Sequence, residues 1–268
     1  MAVLLPALSA GAQQAADGES AAGWFQRVDR TQSAQPHWIT PLVTVTPRLE
    51  EEFRFDVTRQ QLGEATTTTS FGGGKGLELI PAERIEVILG MPPYLDHRPT
   101  ARNGFGDESF LLKYRLLAAN EHSDNYILTF FLGSSVATGS KGNGAGHTIF
   151  TPTIAFGKGW RKLDVQTTLG IGLPGGDKRR LGTPVTHNIA FQYQVIKHLW
   201  PELEVNSTLW PNGSKDGKKQ VFLTPGIVVG RFRVRGRLGL TVGLGVQIAA
   251  TSYRTYDHNW IFSARLPF

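Results

Sequence analysis

The stretch Asn259-Trp260-Ile261-Phe262-Ser263-Ala264-Arg265-Leu266-Pro267-Phe268 decides how this chain is read. Every second residue back from Phe268 is apolar and mostly large, through Leu266, Ala264, Phe262 and Trp260. The interleaved set contains Arg265, Ser263 and Asn259. Successive side chains of a β-strand point to opposite faces, so this segment is a strand with one oily face and one polar face.

The same alternation recurs upstream. Leu238, Leu240, Val242, Leu244, Val246 and Ile248 oppose Gly239, Thr241, Gly243, Gly245 and Gln247; Leu163, Val165, Thr167, Leu169 and Ile171 oppose Asp164, Gln166, Thr168 and Gly170. Twelve strand-like stretches follow one another from residue 47 to the terminus, and no segment sustains a helical period, which predicts little helix. Alternation alone fits a soluble sandwich as well as a membrane barrel. Connection lengths separate them. If the first strand rises from the periplasm, the even connections are short (81–83, 157–160, 197–200, 230–233). The odd ones are longer and polar (60–74 with its Thr66-Thr67-Thr68-Thr69 run, 93–105, 139–146, 174–184, 212–218, 251–257). Short turns at one rim and larger loops at the other are the habit of transmembrane barrels. The expected fold is therefore all-β, a closed antiparallel up-and-down transmembrane β-barrel of about 12 strands.

Composition is consistent with this and excludes several alternatives. The 268 residues hold no cysteine, which excludes disulfides, thiolate metal sites and cysteine nucleophiles. A net charge of +6 favours anionic partners, but the basic residues form no nucleic-acid motif, so no nucleic-acid partner is expected. No uninterrupted apolar run is long enough for a membrane-spanning helix. Residues 1–12 are apolar and end in Ala10-Gly11-Ala12, as a clipped signal peptide would, though without a basic start. Residues 13–41 are expected to be a periplasmic N-terminal lead-in, and 42–268 the barrel.

Within the barrel, Gly104-Phe105-Gly106-Asp107-Glu108-Ser109-Phe110-Leu111-Leu112-Lys113-Tyr114-Arg115-Leu116, together with Leu49-Glu50-Glu51-Glu52-Phe53-Arg54-Phe55 and the terminal Arg265-Leu266-Pro267-Phe268, resembles a family of outer-membrane barrels named as transporters of the phenol meta-cleavage pathway. Gly104, Gly106 and Asp107 carry the resemblance best. It implies the outer membrane of a Gram-negative bacterium and passive passage of small, including aromatic, organic molecules. The last strand is similar to the closing strand that the barrel assembly machinery reads, which gives Trp260, Phe262, Leu266 and Phe268 that role. Outer-membrane lipid and lipopolysaccharide are the remaining expected partners, with Lys178-Arg179-Arg180 and Lys215, Lys218 and Lys219 in outer loops suited to lipid phosphates.

Strand parity points Glu50, Glu52, Arg54, Asp56, Glu78, Arg84, Glu86, Lys113, Arg115, Asp164, Glu202, Glu204 and Arg265 into the lumen. They are expected to line a path or to brace it by salt bridges, with Arg54, Lys113 and Arg115 facing Glu52, Glu86 and Asp56 across the opening. Glu51 fits badly, because its parity is that of lipid-facing Phe53 and Phe55. An alternative is a structural or adhesive barrel with an occluded lumen, and a further one is a barrel enzyme acting on lipids. No enzyme, cofactor or metal is expected. Gly170-Ile171-Gly172-Leu173-Pro174-Gly175 runs into Pro and basic residues where a dinucleotide site needs a helix. Gly142-Asn143-Gly144-Ala145-Gly146 is a loop tip. The seven histidines are scattered, and none has a serine two residues on.

Overall fold

The computed structural model describes residues 22–268 except 74, 100, 101 and 141. It is a closed barrel of twelve antiparallel staves, several of them broken by a bulge or bend into two hydrogen-bonded segments. The staves are β1 (Glu52–Leu62), β2 (Thr66–Phe71 and Gly76–Ala82), β3 (Ile85–Gly90 and Tyr94–Arg98), β4 (Gly104–Phe105 and Glu108–Ala119), β5 (Tyr126–Val136) and β6 (Ile149–Trp160). They continue as β7 (Leu163–Ile171 and Leu173–Pro174), β8 (Val185–Tyr193), β9 (Leu199–Leu209), β10 (Lys219–Arg235), β11 (Leu238–Ala249) and β12 (His258–Pro267). Each stave pairs with the next, and β12 returns to β1 in unbroken register from Glu52 opposite Pro267 to Gln61 opposite His258. Closure leaves no unpaired edge.

The exterior of this cylinder is apolar. Trp260, Phe262 and Leu266 of the opening stretch are exposed, as are Leu244, Ile248, Phe130, Leu132, Phe156, Leu169 and Phe191. Phe268 is half-buried at the rim. So continuous an oily surface on a closed barrel suits hydrocarbon and would be untenable in water.

Two sequence expectations about the wall change. The threonine run is the outer half of β2, paired with Arg59–Leu62 on one side and, from Thr67 to Thr69, with Asp96–Arg98 on the other, so the first hairpin turns at 63–65. Gly72 and Gly73, both with positive φ, kink the stave between its halves. Threonine suits strands through its branched Cβ, so the polar run reads as strand once neighbours are present to pair with it.

The larger change concerns the N-terminal region. The barrel was expected to begin at residue 42, but the first stave starts at Glu52, and residues 35–51 run inside the lumen. Ahead of them, residues 22–33 form helix α1, lying across the short-turn rim. Arg27 Nε donates to the Ile80 carbonyl at 3.3 Å, and Asn120 Nδ2 donates to the Ser33 carbonyl at 2.8 Å. Arg237, in the β10–β11 turn, holds the Asp29 carboxylate with both terminal nitrogens at 2.6 and 3.0 Å. Helix periodicity goes unseen in 13–41 because α1 buries only one narrow side, Val28 and Thr31. The signal-peptide expectation for 1–12 and the first part of the lead-in lie outside the described residues.

Two tests follow from this architecture. Leu244→Arg, placing a charge midway along β11 on the outer face, is expected to destabilise the barrel in phospholipid by about 2–4 kcal/mol, read from urea unfolding in vesicles. The hydrogen bond from Arg237 holds the Asp29 carboxyl below the usual aspartate range. The ion pair is therefore at full strength above that range and fades only as the pH falls beneath it. The protection of the amides of residues 22–33, taken relative to the intrinsic exchange rate at each pH, should be constant from neutral to mildly acidic buffer and fall in strong acid. Asp29→Asn should lower the protection at neutral and mildly acidic pH and make no difference in strong acid.

Candidate transport path and its internal plug

The lumen wall follows from strand parity. On β1 the inward residues are Glu52, Arg54, Asp56 and Thr58; on β12 they are Asn259, Ile261, Ser263 and Arg265; on β9 they are Trp200, Glu202, Glu204 and Asn206. Glu78, Glu86, Lys113, Arg115 and Asp164 are likewise buried on the inner face. Arg84 is the exception, since it is exposed in the β2–β3 turn, where the tight reversal breaks the alternation. Glu50 lies inside the barrel but on the internal segment, not on a stave.

The opposite charges do not face one another across open space. Arg54 pairs with Asp56 two residues along its own strand, at 2.9 Å, and Lys113 pairs with Glu86 on the adjacent stave, at 2.8 Å. Arg115 donates to the carbonyls of Thr31 and Glu83 at 2.7 and 2.8 Å, tying α1 to the rim. Cross-lumen pairing fails because residues 35–51 stand between the walls.

This plug is bound almost all the way round. Arg265 and Arg54 hold its carbonyls from β12 and β1, while Glu202 and Glu204 of β9 hold its amides. Thr46 Oγ1 donates to Gln166 of β7 at 2.7 Å, and Thr129 Oγ1 of β5 donates to the Pro47 carbonyl at 2.6 Å. Lys113 Nζ of β4 donates to the Arg48 carbonyl at 3.0 Å, and the Glu50 amide donates to Glu86 of β3 at 2.6 Å. Glu51, the residue whose parity did not fit, belongs to the plug. Its carboxylate accepts from the Ile80 amide at 2.7 Å and from Trp24 Nε1 at 2.6 Å. Arg48 folds the segment on itself, bonding the Pro36 and Trp38 carbonyls and pairing with Glu50 at 2.8 Å.

A small apolar latch supplements these polar bonds. Ile39 and Leu42 pack on Trp200, Val228 and Ile261, all inward-facing. Leu42 lies against the bare backbone of Gly226, Gly243 and Gly245, where an added Cβ would come within 2.5–2.6 Å of its methyl carbons. The glycines therefore form a notch that fits this one side chain. Trp38 similarly covers Gly157, where a Cβ would fall 2.4 Å from its ring.

Sequence reasoning missed the plug, together with Arg48, Arg231, Gln166, Gln192 and Thr129. Arg231, a solvent-accessible β10 residue at the short-turn rim, reaches in to bond the Trp38 carbonyl. A signal was present. Ile88, Phe131, Trp200, Val228 and Ile261 are large apolar residues at lumen-facing positions, where water would make them costly. Something inside had to cover them.

Cavities remain on both sides of the plug. One of about 310 Å³, toward the long-loop rim, is lined by Leu42, Val43, Asp56, Thr58, Gln247 and Asn259 among others. One of about 260 Å³, toward the short-turn rim, is lined by His37, Thr40, Arg48, Glu52, Arg231 and Arg265 among others. Thr40 to Val43, with Arg54 and Arg265, form the partition.

The outer rim is organised by the motif that carried the family resemblance. The Asp107 carboxylate accepts from the Gly139 and Ala145 amides at 2.8 and 2.7 Å, gathering the β5–β6 loop. Beside it, Ser214 Oγ donates to the Arg180 carbonyl at 2.7 Å, bringing the two basic loop clusters together. Lys215 and Lys218 lie over the rings of Trp210 and Tyr253 at 4.9 and 5.7 Å. Among the described residues, no group of three or more histidines or carboxylates is arranged to hold a metal ion.

Neither a protein-family model nor a curated protein matches the sequence. Solved structures do. The COG4313 outer membrane channel from Pseudomonas putida F1 matches with a TM-score of 0.56 at 15% identity, over 85% of this chain and 98% of that one. OmpF of Salmonella typhi, in complex with daunomycin, matches with a TM-score of 0.38 at 10% identity, over 81% and 96%. The transport unit of the autotransporter AIDA-I from Escherichia coli gives 0.39 at 13% identity, over 92% and 97%. The first likeness establishes the fold as that of an outer-membrane barrel; the other two superpose too loosely to add to it.

The glycine notch gives a direct test of plug seating. Gly243→Leu would fill the space that Leu42 occupies. Amide exchange across residues 39–44 should rise sharply, while the heat-dependent gel mobility of the folded barrel is retained.

Proposed function

We propose that this protein is a gated channel of the bacterial outer membrane, closed at rest by its own residues 35–51 and passing small molecules when that segment is displaced. The observation that carries this reading is a charged, polar lumen with a chain segment lying across it and a cavity on either side. A permanent plug would gain more from an apolar interior. Burying ion pairs such as Lys113–Glu86 costs several kcal/mol of desolvation per ion, and well-packed hydrophobic residues of similar volume are often as stable or more so. A wall of Glu202, Glu204, Asp164, Arg54 and Arg265 is suited to periods of contact with water and solute. An occluded structural barrel also accounts for the closed state, since these wall groups bond the segment's backbone; what favours the gate is the cavity on either side of the segment.

The partition is thin enough to serve as a gate. Its apolar part is chiefly Ile39 and Leu42, worth roughly 1.5–3 kcal/mol each when fully buried. Its polar bonds have replacements in water once the lumen floods, so their net contribution is smaller than their number implies. The small-molecule cargo, and within it the aromatic class that the sequence resemblance implies, belongs to this proposal. So do the assembly role of Trp260, Phe262, Leu266 and Phe268 and the contact of the joined basic loops with lipopolysaccharide phosphates.

The chain lacks cysteine, so a single engineered pair can fix the gate without side reactions. In Leu42→Cys/Gly245→Cys the two side chains meet in the notch. The oxidised protein in planar bilayers should show no opening events, and reductant should restore them. Equal conductance before and after reduction would show that this segment is not the gate.

A further inference from the structure

We propose that the open lumen binds extended peptide in the place that residues 40–44 occupy when it is closed, an inference resting on the gated-channel reading above. Four wall side chains hold those residues, all of them more than nine-tenths buried, and each bond goes to a main-chain atom. Glu202 accepts from the Leu42 amide at 3.0 Å, and Glu204 accepts from the Val43 and Thr44 amides at 2.7 and 2.6 Å. Arg265 donates to the Thr40 and Pro41 carbonyls, the second at 2.8 Å. Arg54 donates to the Pro41 and Leu42 carbonyls at 3.3 and 2.5 Å. Three successive carbonyls thus meet guanidinium groups, and three successive N–H groups meet carboxylates. Side-chain identity enters chiefly at Leu42, in its glycine notch.

The wall therefore sorts acceptors from donors, as the peptide backbone does and few other small molecules do. A sugar offers hydroxyls that donate and accept alike at every position, and gains nothing from the separation. A small aromatic acid would find the two arginines but bring its charge toward Glu202 and Glu204. Three of the four groups are also braced independently of the plug. Arg54 is held by Asp56 at 2.9 Å, Arg265 by Ser263 at 3.2 Å and Glu202 by Gln192 at 2.5 Å. A site ordered beforehand loses little freedom when a ligand arrives. In the resting protein the tethered segment competes at an effective concentration on the order of millimolar, so free peptide enters only after the gate has opened.

The test uses the full-length variant Ile39→Ser/Leu42→Ser/Val43→Ser, checked for folding by heat-dependent gel mobility, with Leu42→Ser alone as the fallback. The probe is an end-blocked, fluorescently labelled peptide with the sequence of residues 38–46. In detergent its anisotropy should saturate, and in bilayers it should block current over the same concentration range. A peptide of unrelated sequence that keeps the leucine should compete, while benzoate and a neutral oligosaccharide should not. N-methylating the three amides that match Leu42 to Thr44, or adding Glu204→Gln, should weaken binding about tenfold or more, as expected for lost charge-assisted bonds. Absence of saturable binding, equal binding of the N-methylated peptide, or displacement by benzoate would overturn the peptide site. Current and binding separate the two proposals. A folded variant that conducts without binding peptide refutes this one, and a variant that binds peptide without conducting supports it and refutes the gate.

Discussion

Everything in this structure depends on the pairing of β12 with β1. In hydrocarbon an unpaired backbone amide or carbonyl has no water to turn to, so a sheet can exist there only if its last strand finds its first. The register from Glu52–Pro267 to Gln61–His258 accomplishes this without a bulge. Once the edge is gone, strand parity has only two destinations. Trp260 and Phe262 must meet lipid, and Ser263 and Arg265 must meet whatever fills the interior.

What fills it is the chain itself. A dozen staves enclose more volume than their own inward side chains occupy, and residues 35–51 take up much of the difference. The plug matches its surroundings because it meets polar wall with polar backbone, and oily wall with Ile39 and Leu42. Arg54, Arg265, Glu202 and Glu204 then serve twice. Each satisfies its own desolvated charge on the plug backbone, and each would be left facing a wet path if the plug withdrew. Under the proposed gating, the same side chains that hold the segment in place would line the open path.

Buried charge in a soluble core is usually tolerated in isolated pairs, whereas here it is the lining. Lys113–Glu86 and Arg54–Asp56 run along the wall, so the field inside is patterned from stave to stave. α1 adds a cover at the short-turn rim, pinned by Arg237 and Arg115. The outer rim is tied by Asp107 and by the contact between Ser214 and Arg180. The two rims differ because short turns leave space for a helix to lie across them, while long loops pack on each other.

The wall was legible in the sequence because it is written locally. Alternation from Asn259 to Phe268 and from Leu238 to Ile248, with short and long connections in turn, requires only the strand's two-residue period and a bilayer's thickness. The inward set from Glu50 to Arg265 followed from the same parity, except Glu50, which lies on the internal segment, and Arg84, where a turn ends the alternation. The plug was not legible, because its bonds join residues far apart in the chain, such as Val43 with Glu204 and Thr40 with Arg265. Its own stretch, Pro36 to Glu51, has no period and three prolines, so nothing local distinguishes an ordered internal segment from a loose lead-in. Even the displaced parity of Glu51 and the oily inward residues Trp200 and Ile261 take their meaning only from a closed interior. Local periodicity determined the cylinder; only the tertiary structure decided that the chain's own residues 35–51 lie inside it, because that depends on bonds between residues far apart in sequence.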